Sequence, residues 1–136
     1  MDIKKLAVSG IVGGILFFLL GWLLYGMLLV DFMKNHPGVV SGYEKAAPDM
    51  MYLVIGNLLS GFLMAYIFVK ANVNTLAGGL ITGAVVGFLM IASFDCIMYA
   101  TTSLVSKKMI MADVLASTAM SAVTGAIVGM VMGKLK

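Results

Sequence analysis

Apolar residues fill four long stretches, Leu6–Val30, Met50–Val69, Leu76–Tyr99 and Met109–Gly133, and charged residues fall almost wholly between them. At a rise of 1.5 Å per residue, each stretch is long enough to cross a hydrocarbon core about 30 Å thick. Lipid offers the backbone no hydrogen-bond partners, so only helices and closed barrels can span it. The alternating apolar and polar positions of a barrel strand are absent from these stretches. The pattern therefore predicts an all-α, four-helix transmembrane bundle, formed as one domain over residues 1–136.

The connections set the order of packing. Asp31 to Asp49, DFMKNHPGVVSGYEKAAPD, is the longest and most polar. Its Pro37-Gly38 pair marks a turn, and Pro48 suits the first turn of the second helix. Lys70 to Thr75 and Ser103 to Lys108 are short, which predicts that the second and third helices, and the third and fourth, are antiparallel neighbours. The start, Met1-Asp2-Ile3-Lys4-Lys5, resembles a secretory signal on the surface. The apolar run after it is too long for a signal core and ends in no small-x-small cleavage site, so it reads as a retained first helix.

Two of the stretches carry small residues every fourth position. In the third these are Gly79, Gly83 and Gly87; in the fourth they are Ser117, Ser121, Gly125, Gly129 and Gly133, led by Asp113 one turn earlier. In lipid the hydrophobic effect cannot draw helices together, so close backbone approach over small side chains must do so. Such ladders pack the third and fourth helices within one subunit, or join two subunits; a glycine-lined pore is the third possibility. The first helix adds Gly10, Gly13, Gly14 and Gly21.

Polar groups inside the spans carry the functional interest. A carboxylate at a helix centre costs roughly 2.5–3.5 kcal/mol on insertion scales. Asp95 lies well inside the third stretch, and Asp113 about two turns into the fourth. With the turn near Lys107, Asp113 falls beside Tyr99–Thr102 and Asp95 beside Ser117–Thr118, in one leaflet at depths about 8 Å apart. Tyr25, closing the first helix, and Asn57, in the second, reach the same leaflet. Tyr25, Asn57, Asp95, Tyr99 and Asp113 thus form a candidate polar pocket whose acids could carry a proton. In a purely structural role, Asp95 bonds Tyr99, Asn57 or Thr118, while Asp113 caps its helix or pairs with Lys108.

Composition agrees with this picture. Of 136 residues, 62% are hydrophobic and 11% charged, against about 25% charged in soluble domains; mean hydropathy is +1.08. The net charge of +3 comes from lysines alone, scattered at the ends of the stretches. They read as headgroup anchors rather than a nucleic-acid patch. Both termini fall on one side, with Lys4, Lys5, Lys70, Lys134 and Lys136 against Lys34, Lys45, Lys107 and Lys108 opposite, a bias toward cytoplasmic termini.

Other chemistry finds little support. Cys96 is single and reads as a buried, inert thiol. His36 with Glu44 and Asp49 has no recognised metal spacing. The 13 methionines read as lipid-compatible filler rather than copper(I) ligands. Gly10-x-x-Gly13-Gly14 lacks the strand-to-helix context of a phosphate loop, and the sole histidine stands outside the spans. We expect no enzyme, no metal and no cofactor.

Gly21-Trp22-Leu23-Leu24-Tyr25-Gly26, Met64-Ala65-Tyr66, the glycine-rich third helix and Asp113 after it together resemble a family of small bacterial membrane proteins, the domain of unknown function 1761. The resemblance covers most of the chain and implies a four-helix architecture in the bacterial inner membrane, without an activity. Two functions remain as expectations: an oligomeric proton- or cation-coupled transporter or channel centred on Asp95, and a non-catalytic accessory subunit docking a larger membrane complex through its small-residue faces. The expected partners are the lipid bilayer and a second copy or another membrane protein, not nucleic acid.

Overall fold

The computed structural model of the chain describes residues 2–135 other than 41, 43, 44 and 46. Glu44, weighed above as a metal ligand, lies outside the described residues. Helix starts follow capping chemistry. The Asp2 carboxylate accepts from the Lys5 amide to open α1 (Ile3–Leu23), and Asp49 accepts from Met51 and Tyr52 to open α3 (Met50–Ala71). Thr75 opens α4 (Leu76–Thr101), and Ser106 opens α5 (Lys107–Lys134). Each cap satisfies an amide that the first helical turn would leave bare. Pro48 stands just ahead of the Asp49 cap, which corrects the expectation that it lies in the first turn of the helix.

Between α1 and the long connection, the chain widens into a π-helical turn, Leu24–Leu28, and then forms the short α2 (Val30–Asn35). The bond from the Leu29 amide to the Leu24 carbonyl, 2.7 Å, closes the wide turn. A helix thus continues into the start of the expected loop, since no proline or glycine interrupts it before Pro37. The connection beyond is pinned to the one between α4 and α5. The amides of Val39 and Val40 donate to the Ser103 carbonyl, and Ser106 Oγ donates to the His36 carbonyl.

Four helices are long and apolar enough to cross a membrane, the first counted through the π-helical turn to Leu28. Among the described residues there is no strand. They pack as two pairs, α4 with α5 and α1 with α3, joined along α1 and α5. Glycines dictate the pairing. A Cβ on Gly79 would overlap the Gly125 carbonyl, one on Gly83 the Ser121 carbonyl, and one on Gly129 the Thr75 carbonyl. The α1–α3 crossing is just as close, for a Cβ on Gly61 would overlap the Gly14 amide and the Gly10 carbonyl.

The expectation that the second and third spans are packed neighbours is therefore corrected. Asn72, in the left-handed region at φ 56°, turns the chain, but α3 spends its close-approach face on α1 and α4 spends its own on α5. A short loop brings two helices to the same end of the bundle; small residues decide which of them touch.

The two halves of the bundle differ. Toward the termini, Met64, Ala65, Phe68, Val128 and Met132 form a filled apolar core. Toward the α4–α5 connection, the interior holds polar side chains and hollows. Large apolar residues such as Ile15, Leu19, Ile81 and Phe88 cover the outside, the surface that a lipid-solvated bundle presents. Cys96 also faces outward, correcting the buried thiol expected above. Asp95 takes the interior position, and its neighbour is rotated away by about 100° on the helix.

Candidate functional site

Asp95 and Asp113 face each other across the α4–α5 seam. Both lie on the four-residue rows that carry the ladders: Gly79, Gly83, Gly87, Ile91 and Asp95 on α4, and Asp113, Ser117, Ser121, Gly125, Gly129 and Gly133 on α5. Each acid is about 10 Å from the middle of its helix at 1.5 Å per residue, so they share one depth. The register expected from sequence, with the acids about 8 Å apart along the bundle, is wrong by roughly one turn. The cause is local: α4 ends at Thr101, and residues 102–106 form the turn before α5, so the pivot lies earlier than Lys107.

The surroundings of the two acids differ. The Tyr25 hydroxyl, brought to the seam by the π-helical turn, donates to the Asp113 carboxylate and also lies 3.2 Å from the Asp113 carbonyl. Ser117 Oγ stands 2.7 Å from the Tyr25 hydroxyl and 3.4 Å from Asp113 Oδ1. Asp113 is thus held by neighbours on the π-helical turn and on α5. Asp95 is 5% exposed, interacts with Asp113, and its Oδ2 has no hydrogen-bond partner. A buried carboxyl oxygen without a partner is costly, and this one sits against a second acid.

Not every candidate residue joins this group. Asn57 donates to the Leu53 carbonyl at 2.8 Å and lines a neighbouring hollow of about 230 Å³ with Ser60, Ser117 and Ser121. Tyr99 is 44% exposed and lines a second hollow, about 590 Å³, at the end of the bundle with His36, Lys107 and Lys108. Thr118, considered as a partner for Asp95, donates instead to the Val114 carbonyl. Ser117, which the sequence placed in the packing ladder and beside Asp95 but not among the pocket residues, joins the group. It bonds within the acid cluster and also borders the hollow that Asn57 lines. Its spacing from Asp113, one turn on the same face, was the available signal.

The ladder residues Gly79, Gly83, Gly87, Ser121, Gly125, Gly129 and Gly133 meet atoms of this same chain: Gly87 faces the Ser121 side chain, and Gly133 faces the Asn74 carbonyl. Their close-approach surface is already covered within the subunit. Among the described residues no group of three or more histidine, cysteine, aspartate and glutamate side chains could hold a metal. Comparisons with protein-family models, curated proteins and solved structures give no match to this chain.

Proposed function

We propose that the chain is a membrane-embedded carrier of a proton or small cation, with Asp95 and Asp113 as the exchanging pair. The observation that carries this reading is the Asp95 carboxyl, buried, lacking a partner for Oδ2 and facing a second acid. A buried carboxyl facing a second, part-buried one of like charge needs a proton or cation between them. Tyr25 and Ser117 position Asp113 and leave Asp95 as the less tethered member.

The hollows support loading from the end of the bundle that holds the α4–α5 connection. Ser117 links the cluster to the 230 Å³ space, whose walls are mostly apolar but carry Asn57, Ser60, Ser117 and Ser121 as partners for water. On the other side, Met64, Phe68, Val128 and Met132 fill the bundle toward the termini. Passage through that half requires movement of α3 against α5, or a second copy.

The test is flux. Reconstituted into liposomes with an imposed pH gradient and a pH-sensitive dye inside, the wild-type chain dissipates the gradient faster than empty vesicles, with sodium or potassium added to distinguish proton from cation exchange. Asp95→Asn, shown to be folded by circular dichroism, falls to the empty-vesicle rate. An unchanged rate in that variant removes the proposed role.

A second reading, an accessory subunit, rests on the side between α3 and α4. The two helices scarcely touch there, and Gly56 has nothing within 4 Å of a Cβ placed on it. Docking would use this side and not the covered ladders. Purification in mild detergent and mass measurement of the intact complex separates this reading from the first.

A further inference from the structure

A groove of about 700 Å³ runs between the π-helical turn with α2 and the outer face of α5, on the far side of α5 from the acid cluster. Leu24, Leu28, Phe32, Met111 and Leu115 give it apolar walls, while Lys108 and His36 stand at one end. From Lys108 to Leu115 it covers about 10 Å of helix. Because α5 is 28 residues long, about 42 Å, its first turn extends past the hydrocarbon core. Lys108 therefore lies at headgroup level and Leu115 among the acyl chains.

We infer that this groove binds one anionic phospholipid, with the phosphate at Lys108 and an acyl chain along Leu28, Met111 and Leu115. Charge complementarity selects the headgroup. Among the described residues Lys108 has no acidic partner, and His36 presents a polar ring held by the bond from its Nδ1 to the Phe32 carbonyl, 2.9 Å. The position of the groove selects a lipid. Its open side consists of residues exposed to the bilayer, with Leu28 and Met111 each 64% exposed. A lipid seated here presses the π-helical turn against α5, beside the Tyr25–Asp113 contact. The inference is independent of the proposed exchange activity.

Lys107 supplies an internal control. It has the same charge and is adjacent in sequence, yet it borders only the hollow at the end of the bundle, which Lys108 and His36 also line, and not the groove. The experiment titrates the purified full chain in neutral detergent with phosphatidylglycerol, with phosphatidylcholine of the same acyl chains, and with glycerol 3-phosphate. Bound molecules are counted by native mass spectrometry. Phosphatidylglycerol is expected to bind at least fivefold more tightly than phosphatidylcholine, and glycerol 3-phosphate not at all over the same range.

Lys108→Gln should weaken phosphatidylglycerol binding about fivefold, the ratio that one lysine at an anionic surface supports; Lys107→Gln should change it less than twofold. Ala112→Phe, which fills the groove, should weaken both lipids. Leu115→Ser does so too, at a position 71% exposed where folding is not at stake. Equal binding of the two lipids, equal losses in the two lysine variants, binding of glycerol 3-phosphate as tight as that of the lipid, or indifference to both groove variants would each overturn the inference.

Discussion

The hydroxyl of Tyr25 donates to the carboxylate of Asp113, 88 residues away in sequence, and ties the π-helical turn to the face of α5 that meets Asp95. π-turns inside helices commonly re-aim one side chain at functional sites. Here the wide turn brings Tyr25 to the seam, while Trp22, three residues earlier, stays on the lipid-facing surface.

Tyr25→Phe keeps the ring and removes the hydroxyl. Side-chain hydrogen bonds between membrane helices contribute about 0.6 kcal/mol on average, up to about 1.7. We expect a stability loss toward the upper end of that range, since the partner is an acid, with helix content unchanged. Reversible unfolding in mixed micelles measures it. No loss would mean that the tyrosine and the acid do not meet.

Gly83→Ile and Gly125→Val should separate α4 from α5, because a side chain at either position runs into main chain: the Ser121 carbonyl for one and the Gly79 carbonyl for the other. Gly56→Ala is the contrast. It meets nothing and gains helix propensity of up to about 1 kcal/mol. Thermal unfolding in detergent ranks the three, and a tolerated Gly83→Ile would contradict the seam.

Gly61→Ala should disrupt the α1–α3 pair as severely, although α3 carries no glycine ladder. The methyl group would run into main chain alone: the Gly14 amide, the Gly10 carbonyl and the Gly13 carbonyl carbon. Protease sensitivity of the connection between α2 and α3 should rise with this variant and stay at the wild-type level with Gly56→Ala.

Thr124 is fully buried and its hydroxyl lacks a hydrogen-bond partner. Thr124→Val keeps the shape and removes an unsatisfied polar group, so we expect a gain of about 1 kcal/mol. A loss of that size in the same unfolding assay would show that the hydroxyl is bonded.

The extent to which the sequence foretold these features follows from which forces are local. Four spans were legible because span length and charge exclusion are properties of the chain itself. The α4–α5 seam was legible because two four-residue ladders can satisfy each other. The partner of α3 was not, since Gly61 and Ala65 make only one step of a small-residue row, and the two-sided fit with Gly10 and Gly14 exists only after folding. Asp95 and Asp113 were placed in one leaflet, but their direct opposition depends on where α4 stops and Ser106 caps α5, a matter of one turn. Tyr99 falls one turn after Asp95 on the same row, yet α4 ends at Thr101, so its ring borders the hollow at the end of the bundle instead of the seam.

The pairing of Asp95 with Asp113 inside one chain is the claim on which the rest stands, and cross-linking measures it directly. In a Cys96→Ser background, Asp95→Cys and Asp113→Cys are combined, treated in membranes with a methylene-bridged bis-methanethiosulfonate, and digested with trypsin at Lys107 and Lys108. The account predicts that the α4 and α5 fragments stay joined until a reductant is added, in monomeric protein. Fragments that separate without reductant, or thiols that link only between two chains, would contradict it.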